Sequence, residues 1–84
     1  MKFYHKKGTM KLSELKKGEK GVILSYGDNE LSLKLMEMGF IIGEHVAVME
    51  TGFFNDPMAF KINGYLVSLR RSEAETIMID KITN

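Results

Sequence analysis

The sequence predicts a mainly β fold: a small barrel of about five short strands, with one short helix and a helical turn before the last strand. Three observations carry this. Met58, Phe60 and Ile62 alternate, Asn63-Gly64 follows, and Tyr65, Val67 and Leu69 alternate after it. Asn-Gly between alternating runs is the strongest short-range hairpin cue, because both central residues of a type I′ turn need positive φ. Short apolar runs also stand at Val22–Leu24, Val46–Met49 and Ile77–Ile79, with Gly, Asn or Asp punctuating the chain between them. Finally, 84 residues suffice for one domain, and rolling five short strands into a closed or nearly closed barrel removes their exposed edges.

In chain order, residues 1–10 show no sustained period and read as a loose basic leader, with the barrel domain spanning 11–84. Leu12-Ser13-Glu14-Leu15-Lys16-Lys17-Gly18 reads as a helical turn that points Leu12 and Leu15 inward and ends at Gly18. Val22–Leu24 is the first strand. Leu31 to Met38 fits either period, alternating at Leu31, Leu33 and Leu35 and falling at helical spacing at Leu31, Leu35 and Met38. Its Leu, Lys, Met and Glu content and the capping position of Gly39 favour a helix. Val46–Met49 is the second strand, and Thr51 to Pro57 is a loop. In the hairpin that follows, the pleat assigns Phe60, Ile62, Val67 and Leu69 to a buried face and Lys61, Ser68 and Arg70 to the other. Ser72-Glu73-Ala74-Glu75 matches a capping box, with Ser72 and Glu75 exchanging bonds with each other's backbone, and starts the helical turn before Ile77–Ile79.

Composition narrows the function classes. With no cysteine there is neither a disulfide nor a zinc-thiolate site. No apolar run reaches the roughly 18 residues of a membrane-spanning helix, and no secretory signal is visible, so a cytoplasmic location is expected. The formal charge of +1 is uneven. Residues 1–20 hold seven lysines and two glutamates, whereas the remainder holds five basic and nine acidic residues. A basic end on an acidic body suits phosphates or anionic lipid heads, and equally suits a solvated terminus.

The residues for chemistry are sparse. His5 and His45 stand forty positions apart, with no carboxylate at ligand spacing. Met36, Met38, Met49, Met58 and Met78 lie within apolar patterns and read as packing or adaptable contact surface. Ser32 and Ser68 have no nearby histidine, and Gly39-Phe40-Ile41-Ile42-Gly43 lacks the Lys-Ser/Thr of a phosphate loop. No active site, cofactor or metal site is read, and the chain is expected not to be an enzyme. Two features read instead as contact surface. In Phe53-Phe54, one ring is left partly exposed, or both fold over a barrel end. Arg70-Arg71 presents planar guanidinium groups to a partner, or pairs with Glu73 or Glu75.

Taken together, Leu12-Ser-Glu-Leu-Lys-Lys-Gly18, Lys34-Leu-Met-Glu-Met-Gly-Phe40 with Gly43, Asp56-Pro57 and Ile62-Asn-Gly-Tyr-Leu-Val-Ser-Leu-Arg-Arg-Ser-Glu-Ala74 resemble the FeoA domain, ferrous iron transport protein A, from about Leu12 to Ile79. The stretch Gly64 to Ala74 is the most specific part. The sequence departs from the family pattern at Lys34, where the family often has several arginines before the helix's leucines, and at Ile42, where proline is frequent. The resemblance implies an SH3-like barrel with the helix inserted between the first and second strands. It also implies a small cytosolic partner of FeoB, the membrane ferrous-iron transporter with a cytosolic GTP-binding domain, acting through protein contact.

On that reading the contact residues are Lys34, Met36, Phe40, Ile41, Phe53, Phe54 and Arg70, the apolar and basic residues left outside the inferred core. Association with the membrane is peripheral, through the partner, and self-association stays open. Two alternatives carry less: a detached modulator of a metal-dependent repressor, and a nucleic-acid-binding barrel, for which a charge of +1 is weak support.

Overall fold

The computed structural model describes residues 9–83. Six antiparallel strands make one sheet in the order β1-β6-β2-β3-β4-β5. They are β1 (Thr9–Lys11), β2 (Lys20–Tyr26), β3 (His45–Thr51), β4 (Met58–Ile62), β5 (Tyr65–Leu69) and β6 (Ile77–Ile82). Helix α1 (Asn29–Glu37) is inserted between β2 and β3, and the single turn α2 (Arg71–Ala74) precedes β6. Further 3₁₀ turns cover Leu12–Glu14 and Phe53–Asn55. No described helix is long and apolar enough to cross a membrane.

The expected mainly β, SH3-like architecture holds, with two corrections. The strands number six because Thr9 and Met10, read as leader, pair with Asp80 and Ile79 of β6. Three residues are too few to show a period. The sheet is also not closed. The final strand lies between β1 and β2, which leaves β1 and β5 as unjoined edges.

Local chemistry explains the elements that position the surface. Asp28 caps α1, its carboxylate accepting from the N–H groups of Glu30 (2.9 Å) and Leu31 (3.3 Å). The helix thus starts two residues before Leu31. The hairpin turn has positive φ at both Asn63 (55°) and Gly64 (85°), as a type I′ turn requires. The pleat places Phe60, Ile62 and Leu69 inside and leaves Lys61, Ser68 and Arg70 exposed. Leu12 and Leu15 are buried as expected, and join Ile23, Leu35, Val48, Met58, Ile77 and Ile79 in a single core.

The capping box sits two residues earlier than expected. The Arg70 N–H donates to Glu73 Oε1 at 2.9 Å. β5 runs to Leu69 and the turn begins at Arg71, so Ser72 falls inside the turn and not at its start. Arg70 is a poor capping residue by type, which is why the Ser-x-x-Glu template pointed elsewhere.

Candidate functional site: an aromatic loop beside the last helical turn

The contact residues expected from sequence separate into three groups. Phe40 is a correction. It is fully buried and meets Phe60 edge to face, with ring centroids 5.7 Å apart and planes at 86°. Gly39 takes φ 106° and turns the chain back, so that the next side chain enters the core and not solvent. The Tyr26 hydroxyl donates to the Phe40 carbonyl and ties this turn to β2. Burial raises the Tyr26 pKa above its usual value.

Met36 and Ile41 are exposed, on α1 and in the loop after it, and no hydrogen bond connects them to the remaining positions. Lys34 and the Phe54 backbone are each bonded to α2, through Glu73 and Arg71, and Arg70 stands at its start, next to Arg71. Lys34 Nζ donates to Glu73 Oε2 at 2.8 Å, while the Arg70 backbone holds the other Glu73 oxygen. Arg71 then reaches the aromatic loop. Its Nη1 donates to the Phe54 carbonyl and its backbone N–H to Asp56 Oδ1, each at 3.1 Å.

That loop is exposed yet tightly bonded. Phe53 and Phe54 are 90% and 89% exposed, so neither ring folds over the sheet. Gly52 N–H donates to the Pro57 carbonyl (2.8 Å), Asn55 N–H to Gly52 (3.0 Å) and Asp56 N–H to Phe53 (3.0 Å). Phe54 and Asn55 both sit in the left-handed region, at φ 56° and 61°. For a phenylalanine this is a strained conformation, of order 1–3 kcal/mol, that persists only where neighbours over-determine it. Two aromatic rings thus stand in water on a bonded, strained turn, so the backbone's share of any ordering cost on binding is already met. Sequence reasoning missed Arg71 as the residue that fixes this loop. No side-chain pattern signalled it, since Asp56 accepts from the Arg71 backbone N–H and the guanidinium bonds a backbone carbonyl.

A groove of about 500 Å³ runs beside the loop, lined by Lys16, Lys17, Thr51, Asn55, Arg71 and Glu75 among others. Its charges are largely spent locally. Lys17 pairs with Glu50 (3.3 Å) and Arg71 with Glu75 (3.5 Å), both at exposed positions. Elsewhere Lys81 Nζ donates to Glu19 Oε2 at 2.9 Å and holds that carboxyl below its usual range. His45 is exposed at the start of β3, and His5 lies outside the described residues. Among the described residues no three His, Cys, Asp or Glu side chains gather as metal ligands.

Comparison with known proteins agrees with the fold and narrows it. A family model described as the FeoA domain matches residues 10–81. A curated relative from Porphyromonas gingivalis, a fusion of Fe(2+) transport protein A with the Fe(2+) transporter FeoB, is 36% identical over 76 residues. That match covers 89% of this chain, which spans only 9% of the fusion's length. A Fe(2+) transport protein A assigned in Campylobacter jejuni is 31% identical over 74 residues, covering 87% of this chain and 100% of that protein. The crystal structure of Stenotrophomonas maltophilia FeoA complexed with zinc, described as a prokaryotic SH3 domain protein, superposes with a TM-score of 0.75 at 30% identity. It covers 84% of this chain and 89% of that one. With the family model spanning β1 to β6 and these relatives matched along nearly the whole chain, the protein belongs to the FeoA family, which is associated with ferrous iron transport.

Proposed function

We propose that this protein is a non-catalytic accessory factor of ferrous iron uptake, acting by docking on the cytosolic part of a FeoB-type transporter. One observation carries the choice of partner. In the Porphyromonas gingivalis relative, a domain like this one and a FeoB transporter share one polypeptide. Fusion holds two domains at high effective concentration and is most useful when they touch. The surface that fits the role is the loop Phe53–Asn55 with Arg70 at the adjoining start of α2, and Lys34 bonded to the same turn through Glu73. Aromatic and arginine side chains contribute disproportionately to interface energy, and here they stand at one end of α2. Met36 on α1 and Ile41 after it are lesser apolar candidates, each exposed.

The GTP-binding domain is the proposed target within the transporter. Titrating isotope-labelled protein with that domain, with and without guanine nucleotide, tests this. Amide shifts concentrated at residues 52–57 and 70–73 support it. Unchanged spectra at high micromolar concentration in both nucleotide states rule out direct docking there.

A further inference from the structure

The two edges of the open sheet are protected very differently. β1 has three residues and carries Lys11, the short and charged design that blocks edge-to-edge association. β5 reads Tyr-Leu-Val-Ser-Leu, with no charge and no proline, and pairs with β4 over five consecutive residues without a bulge. Charge, proline and bulge, three usual devices against strand addition, are thus missing from it. Two of its side chains, Tyr65 and Leu66, are 72% and 71% exposed although both are large and apolar.

The turn fixes which backbone groups are free. A two-residue turn is flanked by a hydrogen-bonded pair, here Ile62 and Tyr65. Antiparallel pairs alternate, so Phe60–Val67 and Met58–Leu69 are also hydrogen-bonded pairs, while Leu66 and Ser68 turn their N–H and C=O away from β4. No other described element bonds to them. The edge thus offers the N–H and C=O of Leu66 and Ser68, spaced for another antiparallel strand.

We propose that β5 is a self-association edge, on which a second copy of this chain adds its own β5 in antiparallel register. The two-fold axis passes beside Val67. Leu66 then faces Ser68 of the second copy, each pair exchanging N–H···O bonds in both directions, and Tyr65 faces Leu69. This register uses every free backbone group on the edge. It also places no charged residue opposite a like charge, because β5 has none, and Arg70 falls opposite Gly64. Hydrophobic burial of Tyr65 and Leu66 adds to the backbone bonds.

Sedimentation of the purified chain from micromolar to millimolar concentration tests this, with two variants. Ser68→Pro removes one outward N–H and leaves the β4 ladder its own bonds. Leu66→Lys keeps the backbone intact and sets a cation on each side of the axis. The wild type should show a reversible monomer–dimer equilibrium, and each variant should raise its dissociation constant at least about tenfold. Dispersed amide spectra confirm that the variants remain folded. Should Ser68→Pro unfold, Leu66→Lys decides. A wild type monomeric throughout overturns the proposal, as does a dimer untouched by Leu66→Lys. A monomeric wild type whose transporter binding is lost in Ser68→Pro also overturns it, and assigns the edge to an extended segment of the transporter.

Discussion

Lys34 on the inserted helix donates to Glu73 in the turn before the last strand, over 2.8 Å, and so links two elements 39 residues apart. The second Glu73 oxygen accepts from the Arg70 N–H at 2.9 Å. One carboxylate therefore fixes both the helix and the turn from which Arg71 reaches the aromatic loop. The Lys34 hydrogen bond first, and the Arg70 N–H second, hold the Glu73 carboxyl below its usual range.

A carboxyl with a lowered folded-state pKa stabilises the fold above its unfolded pKa, and that contribution is lost as pH falls through the folded value. At neutral pH, Glu73→Gln should cost about 0.5–1 kcal/mol, the range of a partly exposed ion pair. The cost should shrink as pH falls through the lowered folded-state value of Glu73, where the carboxyl itself becomes neutral. Urea denaturation of both proteins from pH 7 to pH 2 measures the difference directly. A cost independent of pH would place the effect in packing and not in charge.

Phe40 and Phe53 should behave oppositely although each stands in a loop. Phe40→Ala removes a fully buried ring against Phe60, and should cost about 3–5 kcal/mol or prevent folding of so small a domain. Phe53→Ala should change stability by no more than about 0.5 kcal/mol, because its ring contacts mainly water. Thermal unfolding of the two variants separates core from contact surface.

The loop's geometry rests on Gly52. A Cβ there would lie 2.6 Å from the Asp56 carbonyl oxygen and 3.0 Å from its carbon, both rigid backbone. Gly52→Ala should therefore displace the loop at a cost of about 1–3 kcal/mol. Shifts should concentrate at the amides of Phe54 to Asp56 and at the Arg71 side chain, which bonds the Phe54 carbonyl. Phe54→Gly should do the reverse and raise stability by up to about 1 kcal/mol, since glycine adopts φ 56° without strain.

Much of this was legible in the sequence because local rules and tertiary fold agree. Asn63-Gly64 gives a turn wherever it falls between alternating runs, and the inside and outside of β4 and β5 follow from period two. Gly39 announced the end of α1. The misread positions are those where a local pattern points to more than one geometry. Phe40 follows a glycine and precedes two exposed isoleucines, so only the turn at Gly39 reveals that it faces inward. Ser72 and Glu75 satisfy the capping template better than Arg70 and Glu73 do, yet the length of β5 selects the latter pair. The pairing of Lys34 with Glu73 and of Arg71 with Phe54 depends on how α1 and the loop approach α2, which no local spacing encodes. Phe53-Phe54 was visible as a surface candidate, but the exposure of both rings required the left-handed turn at Phe54 and Asn55.

The central claim is that the exposed aromatic loop is the grip on a FeoB-type transporter. The most direct test is the dissociation constant for detergent-free, bilayer-embedded transporter, measured for the wild type and for a Phe53→Ser, Phe54→Gly double variant whose folded spectrum matches it. Removal of two anchor residues from an interface centre predicts affinity at least about a hundredfold weaker with no loss of stability. Equal affinity of the two proteins would contradict the account.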